Sequence, residues 1–526
     1  MGIILYRWVG ADPGFDTRGG VVLPSCFSSG HNGGVKDVFL LIAAHAADKF
    51  ISKRDIEYPP GPKGIPVLGS VLQLLKNPFK QLQDYADRYG SFYTLKIGPV
   101  KCLILNDIQT INEAFSLRSE EFGARPAILG NATGMGNIGL VLLQSGAYHK
   151  QEKKKAMSLL RGLGAGSDKF DETMQPYIQR IMSLIGDSPR KINLRNLCSA
   201  AMTDIIGGIT FGDSFCNERS ETCQKIRKLI SNNFQNNPAL ILVGKHLPLK
   251  LKQLLDNFTD MESNISKMGG LLHGMIKSLH QKEEQHQDIL NSFVFRYVEE
   301  YASSHDGQSL YGNQKEESQL VGLIVDFFQA GCETTAVNLE WLMLLLAANP
   351  DVQQKAQQEL ASVFGKDPPT LKERRKLKYI TALIAEGLRI RPPAPLGAPH
   401  STTRDVKFHG YTIPGGTPVL GYYISAHHNP NDFPDPHQFK PERFLNNDSD
   451  ERRSKRVISF GIGPRSCAGE QLARSIMESL IIHILHQYNL SGKDGEEVDL
   501  SFKAGINLVP NENEVFICPR EAIKPL

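Results

Sequence analysis

The chain has 526 residues, of which 41% are hydrophobic and 22% are charged, a composition typical of a well-packed protein. This composition excludes an intrinsically disordered chain and a collagen-like chain. Lysine and arginine number 59 against 56 aspartates and glutamates, and a net charge of +3 gives no general electrostatic case for nucleic-acid binding.

The N-terminal segment, residues 1–57, is predicted to be partly disordered, because its first 37 residues are rich in glycine and lack periodicity. Its apolar run, residues 38–47, is shorter than the roughly 20 residues that a bilayer-spanning helix needs. This run is either a weak interfacial contact with a membrane surface, a shortened anchor or a packed helix. From Tyr58 the prolines of YPPGPKGIPVLG form a stiff joint before the folded body, residues 58–526.

Helical periodicity dominates residues 75–390, and short strands flank it, so the predicted fold class is mainly α-helical with small β-sheets. The predicted helices include Pro78–Tyr89, Phe170–Ile185, Leu194–Phe211 and Ser318–Ala348. The predicted strands are Phe92–Ile97, Val100–Leu105 and Val406–Ile413. The last of the helices is apolar on nearly all sides and is predicted to lie buried at the centre. Eight scattered cysteines without disulfide-framework spacing favour a reduced, cytosol-facing environment.

One cysteine near the C terminus, Cys467, lies in the sequence FGIGPRSCAGEQLAR. Five positions match the pattern F-x-x-G-x-R-x-C-x-G, with which the cytochrome P450 family binds haem iron: Phe460, Gly463, Arg465, Cys467 and Gly469. Glycines let a backbone approach a flat cofactor, and arginine pairs well with a propionate. A helix predicted at Gln471–Gln487 offers backbone N–H donors that favour a thiolate. A lone cysteine is more often structural, but five matched positions favour a ligand.

The chain resembles the cytochrome P450 family over residues 58–520, and it looks most similar to animal microsomal drug- and steroid-hydroxylating members. The resemblance implies haem b held between the long central helix and the cysteine loop, with Cys467 as the axial thiolate. It implies a monooxygenase that inserts one atom of O2 into a lipophilic substrate such as a steroid, fatty acid or xenobiotic. No dinucleotide or flavin motif is present, so the electrons are expected from another protein. The resemblance implies that this donor is NADPH-cytochrome P450 reductase, at the cytosolic face of the endoplasmic reticulum membrane.

The central helix contains AGCETT, residues 330–335, which resembles the family motif A-G-x-[DE]-T-T over the distal face of the haem. In that resemblance Ala330 leaves room for dioxygen, Thr334 relays protons, and Glu333 is its acidic neighbour. The competing interpretation is that Thr334 only bonds to the carbonyl four residues earlier.

Two further motifs resemble the family's buried charge network. Glu386 and Arg389 form an E-x-x-R with both side chains on one helix face, and Arg443 lies in the later PERF sequence. The resemblance implies that these three residues position the cysteine loop and take no part in catalysis.

The remaining haem contacts are carried over by the same resemblance. Arg125 and His400 match positions that contact propionates, and Phe460 and Gly461 lie against the cofactor. The family's W-x-x-x-R is replaced here, with His149 at the Trp position and Lys153 at the Arg position, although a slip of one residue would offer Tyr148 instead. Lysine lacks the guanidinium fork, so propionate binding is expected to be looser.

The substrate pocket implied by the resemblance is apolar. Its expected lining residues are Ala330, Ala394, Ala398 and Ile506. Asp326, one turn before Ala330, either meets a polar substrate group or caps a neighbouring loop. A basic cluster before the cysteine loop either docks the reductase or is simply solvated. Its residues are Arg452, Arg453, Lys455 and Arg456.

Two other functions stay open at this point. A haem-thiolate isomerase acting on a peroxide needs no reductase, but such enzymes often lack the helix threonine that Thr334 supplies. A haem- or lipid-binding protein without turnover is left open by His149 and Lys153.

Overall fold

The computed structural model describes residues 57–65, 68–167, 170–212, 221–235, 261–280, 291–445, 456–492 and 496–520. The expectations for the apolar run at 38–47, and for Arg452, Arg453 and Lys455, lie outside these residues.

The predicted mainly helical fold is confirmed. The helices are α1 (Val71–Lys76), α2 (Pro78–Tyr89), α3 (Ile108–Asn112), α4 (Ser119–Phe122), α5 (Ala127–Thr133), α6 (Ala147–Gly162), α7 (Phe170–Ile185), α8 (Leu194–Phe211), α9 (Glu221–Phe234), α10 (Met261–His280), α11 (Phe293–Ser304), α12 (Gln314–Ala348), α13 (Pro350–Phe364), α14 (Lys378–Ile390), α15 (Tyr423–His427) and α16 (Glu470–Gln487). Single helical turns occur at Glu113–Leu117, Leu371–Lys376, Pro441–Phe444 and Gly463–Arg465.

Within the described ranges, four small sheets lie beside the helices. The strands are β1 (Phe92–Ile97), β2 (Val100–Leu105), β3 (Arg190–Asn193), β4 (His400–Ser401), β5 (Val406–Phe408), β6 (Tyr411–Ile413), β7 (Pro418–Gly421), β8 (Tyr488–Ser491), β9 (Phe502–Ala504), β10 (Leu508–Pro510) and β11 (Glu514–Pro519). The largest sheet has the order β1-β2-β7-β4, in which β2 and β7 are parallel and the other neighbours antiparallel. Strand β4 brings His400 to the inner edge of this sheet, where both of its residues are buried.

Helix α12 is the buried central helix that the sequence predicted, but it begins at Gln314, four residues before the predicted start. Its first turn is polar, so apolar periodicity could not mark it, and Glu316 and Glu317 there are favoured by the helix dipole. A π-helical turn at Phe328–Cys332 interrupts the α-helix. By length and composition α12 could cross a membrane, but 67% of its most apolar window is buried, as in the core helix of a globular fold.

The predicted strand at 406–413 is wrong in one respect, because it is a hairpin of β5 and β6. His409 and Gly410 have positive φ angles of 46° and 86°, which reverse the chain. Val406 then pairs with Ile413, and both side chains are buried.

The expectation of reduced cysteines holds for Cys102, Cys198 and Cys332, which are buried free thiols. It is wrong for Cys223, which is disulfide-bonded. Spacing along the chain could not indicate this bond, since a disulfide depends on where the fold brings two cysteines together.

Candidate active site

One cavity is lined by most of the residues that were predicted from the sequence to form the site. It has a volume of about 290 Å³ and lies between the middle of α12 and the loop before α16. The predicted residues that line it are Arg125, His149, Lys153, Ala330, Thr334, Ala394, Ala398, His400, Phe460, Gly461, Arg465 and Cys467. Two wider clefts, of about 750 and 630 Å³, contain none of these residues, so volume alone does not mark the site.

The loop before α16 bends tightly and brings Cys467 to the cavity. Gly461 and Gly463 have φ angles of 70° and 72°, in the left-handed region that favours glycine. A Cβ at Gly463 would lie 2.1 Å from the carbonyl oxygen of Phe115. The Cys467 N–H donates to the Phe460 carbonyl at 2.8 Å and closes the loop. The glycines of the motif are therefore required by the loop's own geometry.

The Cys467 thiol is accessible from the cavity, and protein surrounds it on its other sides. Burial raises the pKa of this thiol, while the Gly469 backbone N–H and the Lys153 cation lower it. Gly469 directly precedes α16, so the predicted donor at the helix start is present. In the described part of the chain no three His, Cys, Asp or Glu side chains are grouped as metal ligands, so a metal ion at Cys467 would need its other ligands from a cofactor.

Two arginines and two histidines lie close together in the cavity wall, and the charged form of each is destabilised. Burial and the neighbouring Arg465 lower the pKa of Arg125 to about 9, and burial lowers that of Arg465 to about 10. Burial, followed by nearby arginines, lowers the pKa of His149 to about 4 and that of His400 to about 3. Among the described lining residues Asp326 is the one carboxylate. This wall therefore fits an anionic ligand.

Arg465 has one guanidinium nitrogen left for such a ligand. Its Nε donates to the Gly123 carbonyl at 3.0 Å and its Nη2 to the Leu143 carbonyl at 2.5 Å. Its Nη1 is buried and has no protein partner. A buried guanidinium nitrogen without an acceptor is costly, and a carboxylate would satisfy it with a charge-assisted hydrogen bond. The residues present thus fit the propionates of a haem.

Helix α6 resolves the register that the sequence left open. His149 is 5% exposed and lines the cavity, whereas Tyr148 is 38% exposed and lies outside the lining. Lys153, one turn later, also lines the cavity, but its ammonium donates to the cysteine loop through Pro464 and Ser466.

The α12 wall of the cavity carries Ala330 and Thr334. The Thr334 hydroxyl donates to the Ala330 carbonyl, which is the local bond that competed with a relay function. Its oxygen can still accept a hydrogen bond, and rotation about χ1 would release its proton to the cavity.

Glu333 faces away from the cavity and is not among its lining residues. It is 2% exposed and forms an ion pair with Arg195 of α8, and Arg195 also contacts Glu340 at 3.4 Å. Adjacent residues of a helix point about 100° apart, and Glu333 lies on the side of α12 that meets Arg195, whereas Thr334 lies on the side that meets the cavity. Burial raises the pKa of Glu340 to about 7, and Arg195 lowers it.

Asp326 lines the cavity, where it could meet a polar substrate group, and its carboxylate also caps a neighbouring loop. The structure is therefore compatible with both sequence interpretations of this residue. Asp326 accepts hydrogen bonds from the backbone N–H groups of Leu140 at 2.5 Å and Val141 at 2.9 Å. Gln319, two turns earlier, accepts from Gly139 at 3.1 Å. Helix α12 thereby fixes the loop that closes one side of the cavity.

Asp326 should make stability depend on pH. Burial raises its pKa from 3.8 to about 6, so the folded state binds this proton more tightly than the unfolded chain. Its contribution therefore decreases by up to about 3 kcal/mol as pH rises from about 4 to 6. We expect Asp326→Asn to remove this decrease. The check is the difference in urea midpoint between wild type and variant across that range. His149 and His400 titrate in both proteins and cancel, and a pH-independent difference would contradict the prediction.

The apolar part of the lining comes mostly from residues that the sequence did not select. Ala394 and Ala398 line the cavity as expected, whereas Ile506 does not and instead donates its backbone N–H to the Phe234 carbonyl at 3.0 Å. The unselected apolar residues include Leu140, Ile206, Ile209, Phe327, Leu472 and Ile476. Helix α8 is buried on nearly all sides, so periodicity gave no signal for the face that meets the cavity.

The three charged residues proposed as a structural network meet outside the cavity. Glu386 binds Arg389 at 2.7 Å and Arg443 at 2.9 Å, and Glu386 and Arg389 are fully buried. Arg389 Nη1 donates to the His427 carbonyl at 2.9 Å, and the His427 ring accepts from the Ile458 N–H at 2.9 Å. Ile458 begins the segment that leads to Cys467, so the network reaches the cysteine loop.

Comparison with known proteins identifies the family. The family model described as Cytochrome P450 matches residues 59–518. Cytochrome P450 2J2 of Homo sapiens is 27% identical over 478 residues, which cover 90% of this chain and 94% of that protein. Cytochrome P450 2C21 of Canis lupus familiaris is 28% identical over 473 residues, covering 88% and 94%. The chain belongs to the cytochrome P450 family.

Family membership confirms the resemblance drawn from the cysteine loop and the central helix. The protein is a P450 monooxygenase, an oxidoreductase whose cofactor is haem b with a cysteine thiolate as the axial ligand of iron.

Proposed function

We propose that this monooxygenase inserts one oxygen atom from O2 into a lipophilic substrate in the cavity between α12 and the cysteine loop, with Cys467 as the iron ligand. The observation that carries the proposal is that Cys467, Thr334 and an anion-binding wall line one cavity. Bound there, haem supplies dioxygen activation, which consumes two electrons and two protons and releases water with the hydroxylated product.

The side chains that would hold the cofactor are the cationic residues of the cavity wall and the cysteine of the loop. Arg465 and Arg125 bind the propionates, assisted by His400 and His149, whose protonation the bound carboxylates favour. Phe460 and Gly461 line the cavity from the loop and would pack against the cofactor.

The substrate is lipophilic because the wall around the α12 segment is aliphatic. Ala330, Ala394 and Ala398 are small, and Ile206 and Ile209 of α8 add apolar area. Steroids, fatty acids and apolar xenobiotics match a cavity with these walls, since binding then removes apolar surface from water.

Thr334 is our candidate for the group that passes protons at the cavity wall. Glu333 is the candidate acid behind it, and its ion pair with Arg195 has to open before its carboxylate reaches the cavity. The two residues therefore have separable functions, one at the wall and one in the core.

The electrons come from NADPH-cytochrome P450 reductase at the cytosolic face of the endoplasmic reticulum. Among the basic residues before the cysteine loop, Arg456 lies in the described part of the chain, where it pairs with Asp432 at 2.6 Å and is 44% exposed at its side chain. Its exposed side chain suits a docking face for an acidic surface, where a carboxylate of the partner would replace Asp432.

The test is turnover by the full chain with purified reductase, NADPH, isotopically labelled O2 and a panel of steroids, fatty acids and apolar drugs. We expect one labelled atom in each product molecule. Rearrangement of a lipid hydroperoxide into its own isomer, without reductase and without incorporation of labelled oxygen, would instead indicate an isomerase. Haem uptake without any product would indicate a binding protein, and either result would overturn the proposal.

Replacing the hydroxyl of Thr334 should uncouple the reaction. For Thr334→Ala we expect product formation to fall by about 10²-fold while NADPH is still consumed, with hydrogen peroxide as the reduced product, because a positioned proton donor contributes about this much. Thr334→Ser keeps the hydroxyl and is the matched control. Equal product per NADPH in the alanine variant and wild type would remove Thr334 from the proton path.

A further inference from the structure

Lys153 of α6 has all three of its donors engaged by the cysteine loop. Its Nζ donates to the Pro464 carbonyl at 2.9 Å, to the Ser466 carbonyl at 2.6 Å and to the Ser466 hydroxyl at 3.2 Å. An ammonium group has three N–H donors, so these contacts satisfy it. Lys153 therefore has no donor left for a propionate.

The neighbouring cations differ from Lys153 in this respect. Arg465 keeps a buried Nη1 without a protein partner, whereas the Lys153 ammonium is absent from the unsatisfied groups. Arg465 and Arg125 both line the cavity. Propionate binding consequently falls to the arginines, and Lys153 is free to serve the loop.

The contacts of Lys153 bear directly on the iron ligand, because Ser466 immediately precedes Cys467. Two carbonyl groups of the loop are turned toward the ammonium, so breaking these bonds would let the backbone before Cys467 rotate. The charge also acts at short range in a half-buried place, where screening by water is weaker than at the surface.

A cation beside a thiolate reduces the electron density that the sulfur donates to iron. It also stabilises the reduced state of the iron centre relative to the oxidised state, since reduction adds a negative charge. Groups of this kind, in contact with the ligand loop and not with the metal, are a means by which proteins set the potential of a haem.

We propose that Lys153 is a positioning residue that fixes the cysteine loop through Pro464 and Ser466 and raises the reduction potential of the haem, and that it is not a propionate ligand. The proposal rests on the haem-thiolate function given above. At the position where the family has an arginine that binds the cofactor, this chain would then have a lysine that binds the cysteine loop.

The experiment compares Lys153→Met, Lys153→Arg and Arg465→Leu in the full chain loaded with haem. Methionine keeps most of the length and removes the charge and the donors, arginine keeps the charge, and Arg465→Leu removes a proposed propionate ligand. Each protein is measured for its midpoint reduction potential, for the fraction with a thiolate-type spectrum when reduced and bound to carbon monoxide, and for the rate of haem transfer to apomyoglobin.

For Lys153→Met we expect a more negative potential and a smaller fraction with the thiolate-type spectrum, with haem transfer close to the wild-type rate. Lys153→Arg should keep the wild-type potential. Arg465→Leu should release haem several-fold faster without the same shift in potential. A potential that shifts equally in the methionine and arginine variants would exclude charge as the cause and overturn the proposal.

The proposal also fails if Lys153→Met keeps the wild-type potential, or if it releases haem as fast as Arg465→Leu, since the lysine would then bind a propionate. Should the methionine variant not fold, Lys153→Gln replaces it, because glutamine removes the charge and keeps a donor. Failure of the haem-thiolate function is distinguishable, because wild type itself would then lack the thiolate-type spectrum.

Discussion

Cys467→Ala is expected to lose the strongly red-shifted absorption of the reduced protein bound to carbon monoxide, together with all monooxygenase activity. That absorption depends on electron donation from a thiolate ligand. Among the described residues, no cysteine other than Cys467 lines the cavity, so no other thiolate can take its place. The fold should persist, because the loop is closed by backbone hydrogen bonds such as Cys467 N–H to the Phe460 carbonyl, and these remain in alanine. Absorption spectra of the haem-loaded variant and its thermal unfolding check both statements.

The matched control is Cys518→Ala, which removes a half-buried free thiol in β11, outside the cavity. This variant should keep the thiolate-type spectrum and the activity. If Cys467→Ala retained the red-shifted band, another residue would be the ligand and the assignment would be wrong. If both variants lost it, the loss would reflect destabilisation in general.

The parts of the site that could be predicted from the sequence are those formed by motifs with short, fixed residue spacing. The turn before Cys467 depends on Gly461 and Gly463, which lie six and four residues before the cysteine. The Glu386–Arg389 pair depends on helix geometry at i,i+3. Such patterns describe local conformation, so they need no knowledge of the rest of the fold. The hairpin at 406–413 was missed although Gly410 is a turn residue, because His409 stands where a two-residue turn usually has asparagine or aspartate before the glycine.

The parts that were not predicted depend on contacts between distant segments. Lys153 lies opposite the loop at Pro464 and Ser466 because α6 packs there, and nothing in the α6 sequence names its partner. Glu333 points to Arg195 because α8 crosses behind α12. Ile506 lies in a connection between strands that has no periodicity, so the sequence could not predict which way its side chain points. The family resemblance indicated that these residues lie near the site, but only the folded structure shows which residues they contact.

Glu386→Gln is expected to destabilise the protein by about 3–5 kcal/mol, the cost of breaking a buried charge pair and leaving its partners uncompensated. Glutamine has nearly the same shape as glutamate, so packing is preserved, while Arg389 and Arg443 lose the carboxylate that both of them bind. Urea denaturation of the haem-loaded protein measures the change.

Glu373→Gln is the matched control, because Glu373 pairs with Lys376 at the same i,i+3 spacing and 2.6 Å, but with the lysine side chain 66% exposed. An exposed pair of this kind contributes about 0–1 kcal/mol, so the control should unfold almost as wild type does. The Glu386 variant should also lose haem faster while still folded, since Arg389 holds the His427 carbonyl and His427 holds Ile458 ahead of the cysteine loop. Equal stability of the two variants would mean that the buried network does not support the fold, and unchanged haem retention would mean that it does not position the loop.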